Sequence, residues 1–189
     1  MLRKIVVGPF QTNCYILGHD ASKEGIIIDP GDEVFKIVKE ISKLGLRISH
    51  ILITHGHMDH VGGVKEVKQI TKAPVYIHAS DAGALDIRPD GHLYEGQRLT
   101  VGTYDIHVIH TPGHSPGGVC LHAPGAVFTG DTLFAGSIGR TDFPGGDHHR
   151  LVQGVVKKIF PLGDELRVYP GHGPASTIGR ERMTNPFLR

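Results

Sequence analysis

The amino-acid sequence predicts a mixed α/β fold in which two β-sheets pack face to face and helices cover their outer surfaces. Three observations favour this fold class. Short apolar or alternating segments recur along the chain, single helical segments separate groups of them, and glycine-containing turns with histidine or aspartate follow several strands. At 189 residues the chain is long enough to bury a substantial core, and we expect one domain over residues 1–189.

The first part of the chain predicts strands wherever apolar or alternating residues are bounded by turn residues, at residues 3–7, 13–17, 25–28 and 48–53. Between the last two strands, apolar residues at helical spacing predict a helix that Asp32 can cap and that ends at Gly45. A second helix is predicted after residue 63, with Val64, Val67 and Ile70 on one face.

The second part predicts further strands at residues 74–78, a hairpin over 98–110, another hairpin over 119–129, and a final strand at 166–169. Residues 79–85 are expected to form a short helix or turn, residues 86–95 an irregular connection, and residues 133–147 a glycine-rich loop. Apolar residues at helical spacing predict a last long helix from His148 to Pro161.

One stretch, Thr54 to Gly63, concentrates groups that bind metal ions. It follows an apolar run and carries His55, His57, Asp59 and His60 in the order H-x-H-x-D-H. A lone histidine in a turn is more often a solvated surface group, but this ordered pattern after a strand is much less expected by chance. Imidazole nitrogen and carboxylate oxygen suit zinc and similar cations, so we interpret the stretch as a metal site.

A count of ligands shows that this stretch needs help from elsewhere. His55 and His57 alone fall short of the three protein ligands usual at a catalytic zinc ion, and Asp59 with His60 has the same deficit at a second ion. Three later positions follow predicted strands and lie beside glycine, and they can supply the missing ligands: His114, Asp131 and His172.

These motifs resemble those of the metallo-β-lactamase superfamily, and more closely its glyoxalase II-like branch. The resemblance runs from Asn13-Cys14-Tyr15 to Asn185-Pro186-Phe187-Leu188. It implies an αββα sandwich and two divalent metal ions, with zinc expected and iron or manganese as alternatives. The implied ligands are His55, His57 and His114 at the first ion, Asp59, His60 and His172 at the second, and Asp131 as the bridging carboxylate.

The resemblance also implies residues that contact the substrate or orient the ligands. Arg140 matches the basic residue that glyoxalase II enzymes offer to glutathione, whereas Asp142 replaces their aromatic residue and Pro174 their tyrosine. The alternative for Arg140 is a simple salt bridge with Asp142. Asp29 matches an aspartate beneath the metal loop that orients a ligand, with a turn-forming role as the alternative. Only seventeen residues follow His172, so the helical C-terminal domain of glyoxalase II is not expected.

The implied chemistry is hydrolysis of an activated acyl bond by a hydroxide shared between two ions, with Asp59 steering it or accepting its proton. The leading substrate is a hydroxyacylglutathione thioester. A lactonase or a persulfide dioxygenase with one Fe(II) can present the same ligand residues, so both remain alternatives. The block from Gly139 to Asp147 also resembles persulfide dioxygenases. A non-enzymatic metal-binding protein is a third hypothesis.

Composition restricts the partners. The formal net charge is +1, from 20 basic and 19 acidic residues, which does not favour binding to nucleic acid or to a membrane surface. The only cysteines are Cys14 and Cys120, far apart in sequence, which is typical of a reducing compartment. No signal peptide or membrane-spanning run is visible, so we expect a cytoplasmic protein with a small-molecule substrate.

Overall fold

A computed structural model describes residues 1–188 and contains two six-stranded β-sheets. The first sheet follows chain order, and its strands are β1 (Leu2–Val7), β2 (Thr12–Gly18), β3 (Glu24–Ile28), β4 (Arg47–Leu52), β5 (Val75–His78) and β6 (Gly91–Leu93). Strands β1 to β3 pair antiparallel, whereas β3 to β6 pair parallel. The carboxyl ends of β3 and β4 therefore lie at the same edge of this sheet.

The second sheet has the order β14-β13-β10-β9-β8-β7. In chain order the strands are β7 (Arg98–Val101), β8 (Tyr104–His110), β9 (Val119–Ala123), β10 (Ala126–Gly130), the small hairpin β11 (Leu133–Phe134) and β12 (Ser137–Ile138), and then β13 (Arg167–Pro170) and β14 (Ser176–Thr177). Because β10 and β13 are parallel neighbours, the loops that follow them leave the sheet side by side.

The helices are α1 (Val34–Leu44), α2 (Met58–Val61), α3 (Val64–Thr71), α4 (His148–Gly154) and α5 (Ile178–Thr184). Short 3₁₀ segments occupy Ala79–Ala84 and Phe160–Leu162, and a π-helical turn, Val155–Ile159, continues α4. Helices α1 and α3 pack on the outer face of the first sheet, and α4 and α5 pack on the outer face of the second. None of the helices in residues 1–188 is long and apolar enough to cross a bilayer.

The sandwich contains three apolar layers, one between the sheets and one under each pair of helices. Strand β3 shows how one sequence serves two of them. Ile26 and Ile28 point into the layer between the sheets, whereas Ile27 points under the helices. A strand buried on both faces needs a continuous apolar run. The αββα sandwich implied by the sequence is confirmed.

Phe128 of β10 lies at the centre of the layer between the sheets. Its ring is buried and packs against Tyr15 and Tyr169, with ring centroids 5.1 and 5.5 Å apart.

We expect Phe128→Ala to lower the free energy of unfolding by about 3–5 kcal/mol, because it leaves a cavity that rigid neighbours cannot fill. Urea unfolding measures the change. The control Phe35→Ala, whose side chain is 79% exposed, is expected to stay within about 0.5 kcal/mol, and equal losses would contradict the assignment.

One detail of the predicted helices is wrong. Asp32 does not cap α1: the preceding residue is Glu33, whose backbone is left-handed with φ 47° and whose side chain makes no capping bond. The chain turns sharply here, which leaves Asp32 too early to cap, and Asp32 accepts a hydrogen bond from the amide of Glu33 instead. The helix predicted after residue 63 is present as α3, in which Val64 and Val67 are buried and Ile70 is half exposed.

Several short elements were not expected from the sequence. Residues 86–95, predicted as irregular, contain β6, which forms because β5 offers a free parallel edge. The loop at 133–147 contains the hairpin of β11 and β12. The strand at 166–169 is followed by β14, so the prediction that it is the final strand is wrong, and helix α5 was not predicted. Local composition carries little signal for pieces this short, which depend on tertiary contacts.

Candidate metal centre

The predicted ligands meet at one rim of the sandwich because each follows the end of a strand. Strand β4 leads into the loop of His55 and His57, and α2 begins directly after that loop. The turn between β8 and β9 carries His114, the end of β10 is followed by Asp131, and the end of β13 is followed by His172. The two sheets thus bring distant parts of the chain to the same place.

The structure brings all seven predicted metal ligands together. Their ligand atoms form three overlapping groups, each with all atoms within 4.8 Å of one another: His55, His57 and His114; His55, His60 and Asp131; and Asp59, His60 and His172. The first and third groups share no residue, as two separate ions require, and the second group lies between them. Three nitrogen or oxygen ligands per ion with an open position are typical of catalytic metal sites.

Asp131 lies between the two outer groups. Its Oδ2 atom is 3.5 Å from Nε2 of His114 and 3.6 Å from Nε2 of His172, and its Oδ1 atom is 3.4 Å from Nε2 of His60. A carboxylate has two oxygens and can bind two ions at once. The position of Asp131 therefore suits the bridging role implied by the sequence.

Two atoms of the cluster test whether a cation fits. Within residues 1–188, Nε2 of His55 and Oδ1 of Asp131 are buried side-chain atoms without a hydrogen-bond partner. Buried polar atoms are almost always paired, so such atoms require an explanation. Both atoms are of the kinds that bind zinc, iron and manganese ions, and both point into the cluster. The residues present therefore fit a divalent metal centre.

The protonation of the histidines follows from their surroundings. Burial and the neighbouring imidazoles of His60 and His114 hold the pKa of His55 well below its ordinary value, so His55 is neutral and ready to bind a metal ion. Burial also opposes the charged form of His60. The adjacent carboxylates of Asp29 and Asp131 outweigh it and raise the pKa of His60 to about 10. Metal binding at His60 therefore displaces a proton.

Backbone carbonyls orient two of the ligands. Nδ1 of His114 donates to the carbonyl oxygen of Arg140 at 2.8 Å. Nδ1 of His172 donates to the carbonyl oxygen of Phe10 at 3.1 Å. A hydrogen bond at Nδ1 fixes the tautomer and leaves the lone pair of Nε2 for a metal ion. The Arg140 backbone thus supports the centre independently of its side chain.

Asp29 lies beneath the cluster, where the sequence predicted a residue that orients a ligand. Its buried carboxylate accepts hydrogen bonds from the amide of Thr54 at 2.7 Å, from the hydroxyl of Thr54 at 2.6 Å and from Nδ1 of His60 at 3.0 Å. The backbone of Asp29 is left-handed, with φ 52°. Because its oxygens bond to Thr54 and His60, the carboxylate links the start of the ligand loop to α2.

Asp81 is a supporting residue that sequence reasoning missed. Its buried carboxylate accepts hydrogen bonds from the amide of Gly56 at 2.9 Å, the hydroxyl of Ser115 at 2.7 Å and the amide of Gly117 at 2.7 Å. It therefore connects the loop of His55 and His57 with the loop of His114. An aspartate in the first turn of a short helix is common, so the sequence gave no distinguishing signal.

We expect Asp81→Asn to weaken metal binding at the group of His55, His57 and His114 by about 10- to 100-fold, because an amide nitrogen then faces an N–H donor and the two loops separate. Binding at the other outer group should change much less. Competition with a chelator, followed by metal counting, measures both. The control Asp105→Asn lies on the exposed face of β8, and an Asp81→Asn variant that matches this control would contradict the expectation.

The structure places Arg140 and Asp142 beside the cluster but not in it. Their side chains form a two-point ion pair at 2.8 and 2.7 Å, and the hydrogen bonds from Arg140 lower the pKa of Asp142 to about 2. The guanidinium also lies 3.9 Å from the centre of the Phe143 ring, which packs perpendicular to the ring of His57 with centroids 5.8 Å apart. The salt bridge considered from the sequence is thus present, at the mouth of the centre.

The sandwich fold and the cluster of imidazoles and carboxylates are typical of a metal-binding protein. The family model described as the metallo-beta-lactamase superfamily matches residues 7–172, and the chain belongs to this superfamily. Among curated relatives, a protein of Haemophilus influenzae named hydroxyacylglutathione hydrolase GloC is 37% identical, over 97% of this chain and 96% of the relative.

Solved structures show the same fold. The BLEG-1 B3 metallo-beta-lactamase superposes with a TM-score of 0.95 at 38% identity, covering 100% of this chain and 99% of its own. TTHA1623 in a di-iron-bound form gives 0.86 at 40% identity, covering 98% and 100%. ETHE1 from Myxococcus xanthus gives 0.89 at 29% identity, covering 98% and 83%. The similarity therefore extends over nearly the whole chain.

Proposed function

We propose that this protein is a dinuclear metal-dependent hydrolase of thioesters, with hydroxyacylglutathione as the leading substrate. The observation that carries the proposal is the arrangement of Asp131 between two ligand groups, which suits two ions that share one site. The similarity to the relative named hydroxyacylglutathione hydrolase supports the substrate class. A reducing compartment such as the cytoplasm, which we propose as the location of this protein, is consistent with two cysteines that are both free and buried.

The two outer ligand groups would each hold one metal ion. His55, His57 and His114 would hold one ion, and Asp59, His60 and His172 would hold the other. When bound, two such ions lower the pKa of a shared water molecule and polarise the carbonyl oxygen of the substrate. We propose zinc as the metal, with iron and manganese as alternatives because the same ligand types suit all three.

We propose that Asp59 also steers the attacking water or accepts its proton. Its Oδ2 atom accepts a hydrogen bond from the hydroxyl of Thr12 at 2.8 Å and lies 3.2 Å from Nε2 of His172. Hydrogen bonds from neighbouring groups hold the pKa of Asp59 below its ordinary value although burial opposes this. The carboxylate is therefore ionised at neutral pH, and Thr12 fixes its orientation.

A persulfide dioxygenase with one Fe(II) is the second candidate. The block from Gly139 to Asp147 resembles such enzymes, and the similarity to the ETHE1 structure is compatible with this alternative. In this case His55, His57 or a near neighbour, His114 and Asp131 would hold the iron. A lactonase would use the same ligands as the thioesterase.

Two assays on one metal-counted sample separate the candidates. Hydrolysis of S-D-lactoylglutathione is followed by the loss of thioester absorbance, and oxygen consumption is followed with glutathione persulfide. The proposal predicts thioester turnover with two metal ions per chain. Oxygen consumption with one iron per chain and no thioester turnover would establish the second candidate instead.

Arg140→Ala is expected to raise KM for anionic glutathione thioesters by about two- to fivefold, the scale of an exposed ion pair, and to leave KM for neutral thioesters unchanged. The reciprocal variant Asp142→Asn frees the guanidinium and is expected to lower KM for the anionic substrates. Steady-state kinetics with one anionic and one neutral thioester measure both effects. Equal changes for the two substrates would show that Arg140 only stabilises its loop.

A further inference from the structure

A cleft of about 310 Å³ opens beside the carboxylate of Asp59. Its lining is mainly apolar and comes from the end of β1, the turn between β1 and β2, the residues before α1 and the helix α2. The apolar side chains that line it include Pro9, Phe10 and Met58. Thr12 and Asp59 line the same cleft, so it is continuous with the metal centre.

Two large apolar side chains that line the cleft are exposed to solvent, which indicates a binding surface. The side chain of Phe10 is 71% exposed and that of Met58 is 80% exposed. Large apolar side chains grouped beside a concave site mark ligand-binding clefts, and methionine adapts its shape to different ligands. The backbone oxygen of Phe10 bonds to His172 and Met58 directly precedes Asp59, so the backbones of both residues lie beside the predicted ligands.

The charge of the cleft restricts what can enter it. Two charged side chains line it, Asp59, which would hold a metal ion, and Asp32, whose carboxylate is not among the predicted ligands. Glu33 lies close by because it accepts a hydrogen bond from the amide of Gly8, and its charge is paired with Lys36. An anionic group would be repelled there. The cation at the mouth, Arg140, lies instead with Phe143, which contacts His57. A second cavity of about 250 Å³, lined by Ser80 and Ser115 among others, also borders His57.

We propose that the cleft beside Asp59 binds the acyl chain of the thioester and selects uncharged, apolar acyl groups. This inference rests on the proposed thioesterase function. The anionic glutathione part then lies toward Arg140 on the side of His57, and the scissile carbonyl lies over the metal centre between them. The preferred substrate is an acyl-glutathione with a longer apolar chain than lactoyl.

A series of acyl-glutathiones tests the proposal on the metal-loaded protein, using acetyl, butyryl, hexanoyl and succinyl thioesters. We expect kcat/KM to rise with chain length, approaching about fourfold for each methylene that becomes buried. The anionic succinyl thioester should be the poorest substrate for its length. Phe10→Ala and Met58→Ala remove the exposed apolar side chains, and each should lower the ratio of the hexanoyl kcat/KM to the acetyl kcat/KM.

Phe35→Ala is the matched control, because Phe35 is a similarly exposed phenylalanine on α1 that does not line the cleft. It should keep the full dependence on chain length. Turnover of all four thioesters at equal kcat/KM, or a succinyl preference, would overturn the acyl-chain inference and leave the thioesterase function standing. No turnover with any thioester in fully loaded protein would overturn the proposed function and this inference with it.

Discussion

Asp131→Ala is expected to abolish binding of two metal ions and to lower kcat/KM for thioester hydrolysis by at least about a thousandfold, because several kcal/mol of transition-state stabilisation depend on the ions. The carboxylate lies within 3.6 Å of histidines from both outer ligand groups, so its removal affects both ions. It also leaves the positive charge of His60 without one of its two neighbouring carboxylates. Metal counting and steady-state kinetics on the same sample measure the result.

Two further variants make this test specific. Asp105→Ala removes an aspartate of β8 that pairs with Arg98 on the surface, and it should retain metal and activity. His57→Ala removes a ligand from one outer group only, and it should also lose metal and activity together. An Asp131→Ala protein with full metal content and normal rate would remove the basis for the bridging assignment.

Gly31→Ala is expected to reduce activity by at least about a hundredfold and to lower stability by about 1–3 kcal/mol. A methyl group at this position would lie 1.6 Å from the backbone oxygen of Asp59 and 3.2 Å from the amide of His60. The backbone must move by roughly an ångström or more to relieve this overlap, and it carries two predicted ligands with it. Kinetics, metal counting and urea unfolding together measure the effect.

Gly83→Ala provides the matched control for this substitution. Gly83 lies in the 3₁₀ segment beside the centre, and a methyl group there would meet no atom within 4 Å. Activity, metal content and stability should therefore stay close to those of the unchanged protein. The account of Gly31 would be contradicted if its alanine variant behaved like the Gly83 control.

The convergence of the predicted ligands could be expected from the sequence because their signals are local and dense. His55, His57, Asp59 and His60 lie within six residues after an apolar strand, and the three distant predicted ligands each follow a strand and lie beside glycine. Strand ends at one edge of a sheet converge, so a sequence pattern was enough to predict that these groups meet. The two packed sheets were predicted from strand groups that alternate with single helices, and the resemblance to a known superfamily implied the αββα sandwich.

The remaining features depend on contacts between distant segments. Asp81 looks like an ordinary aspartate in a short helix, and its role arises only because the loops of Gly56 and Ser115 meet above it. Helix α5 is short, and it is held by buried Ile178 and Glu181 rather than by a long apolar face. The apolar cleft joins the turn after β1 to α2, which are separated by about fifty residues of sequence and show no common pattern.

Metal titration of metal-free protein, followed by the rate of thioester hydrolysis, tests the central claim most directly. Zinc is added in steps and the rate is recorded against metal ions bound per chain. We expect the rate of hydrolysis to reach its plateau only at two ions per chain, because the reaction needs an ion at each of the two ligand groups. A plateau at one ion per chain, or no hydrolysis at full loading, would contradict the dinuclear thioesterase.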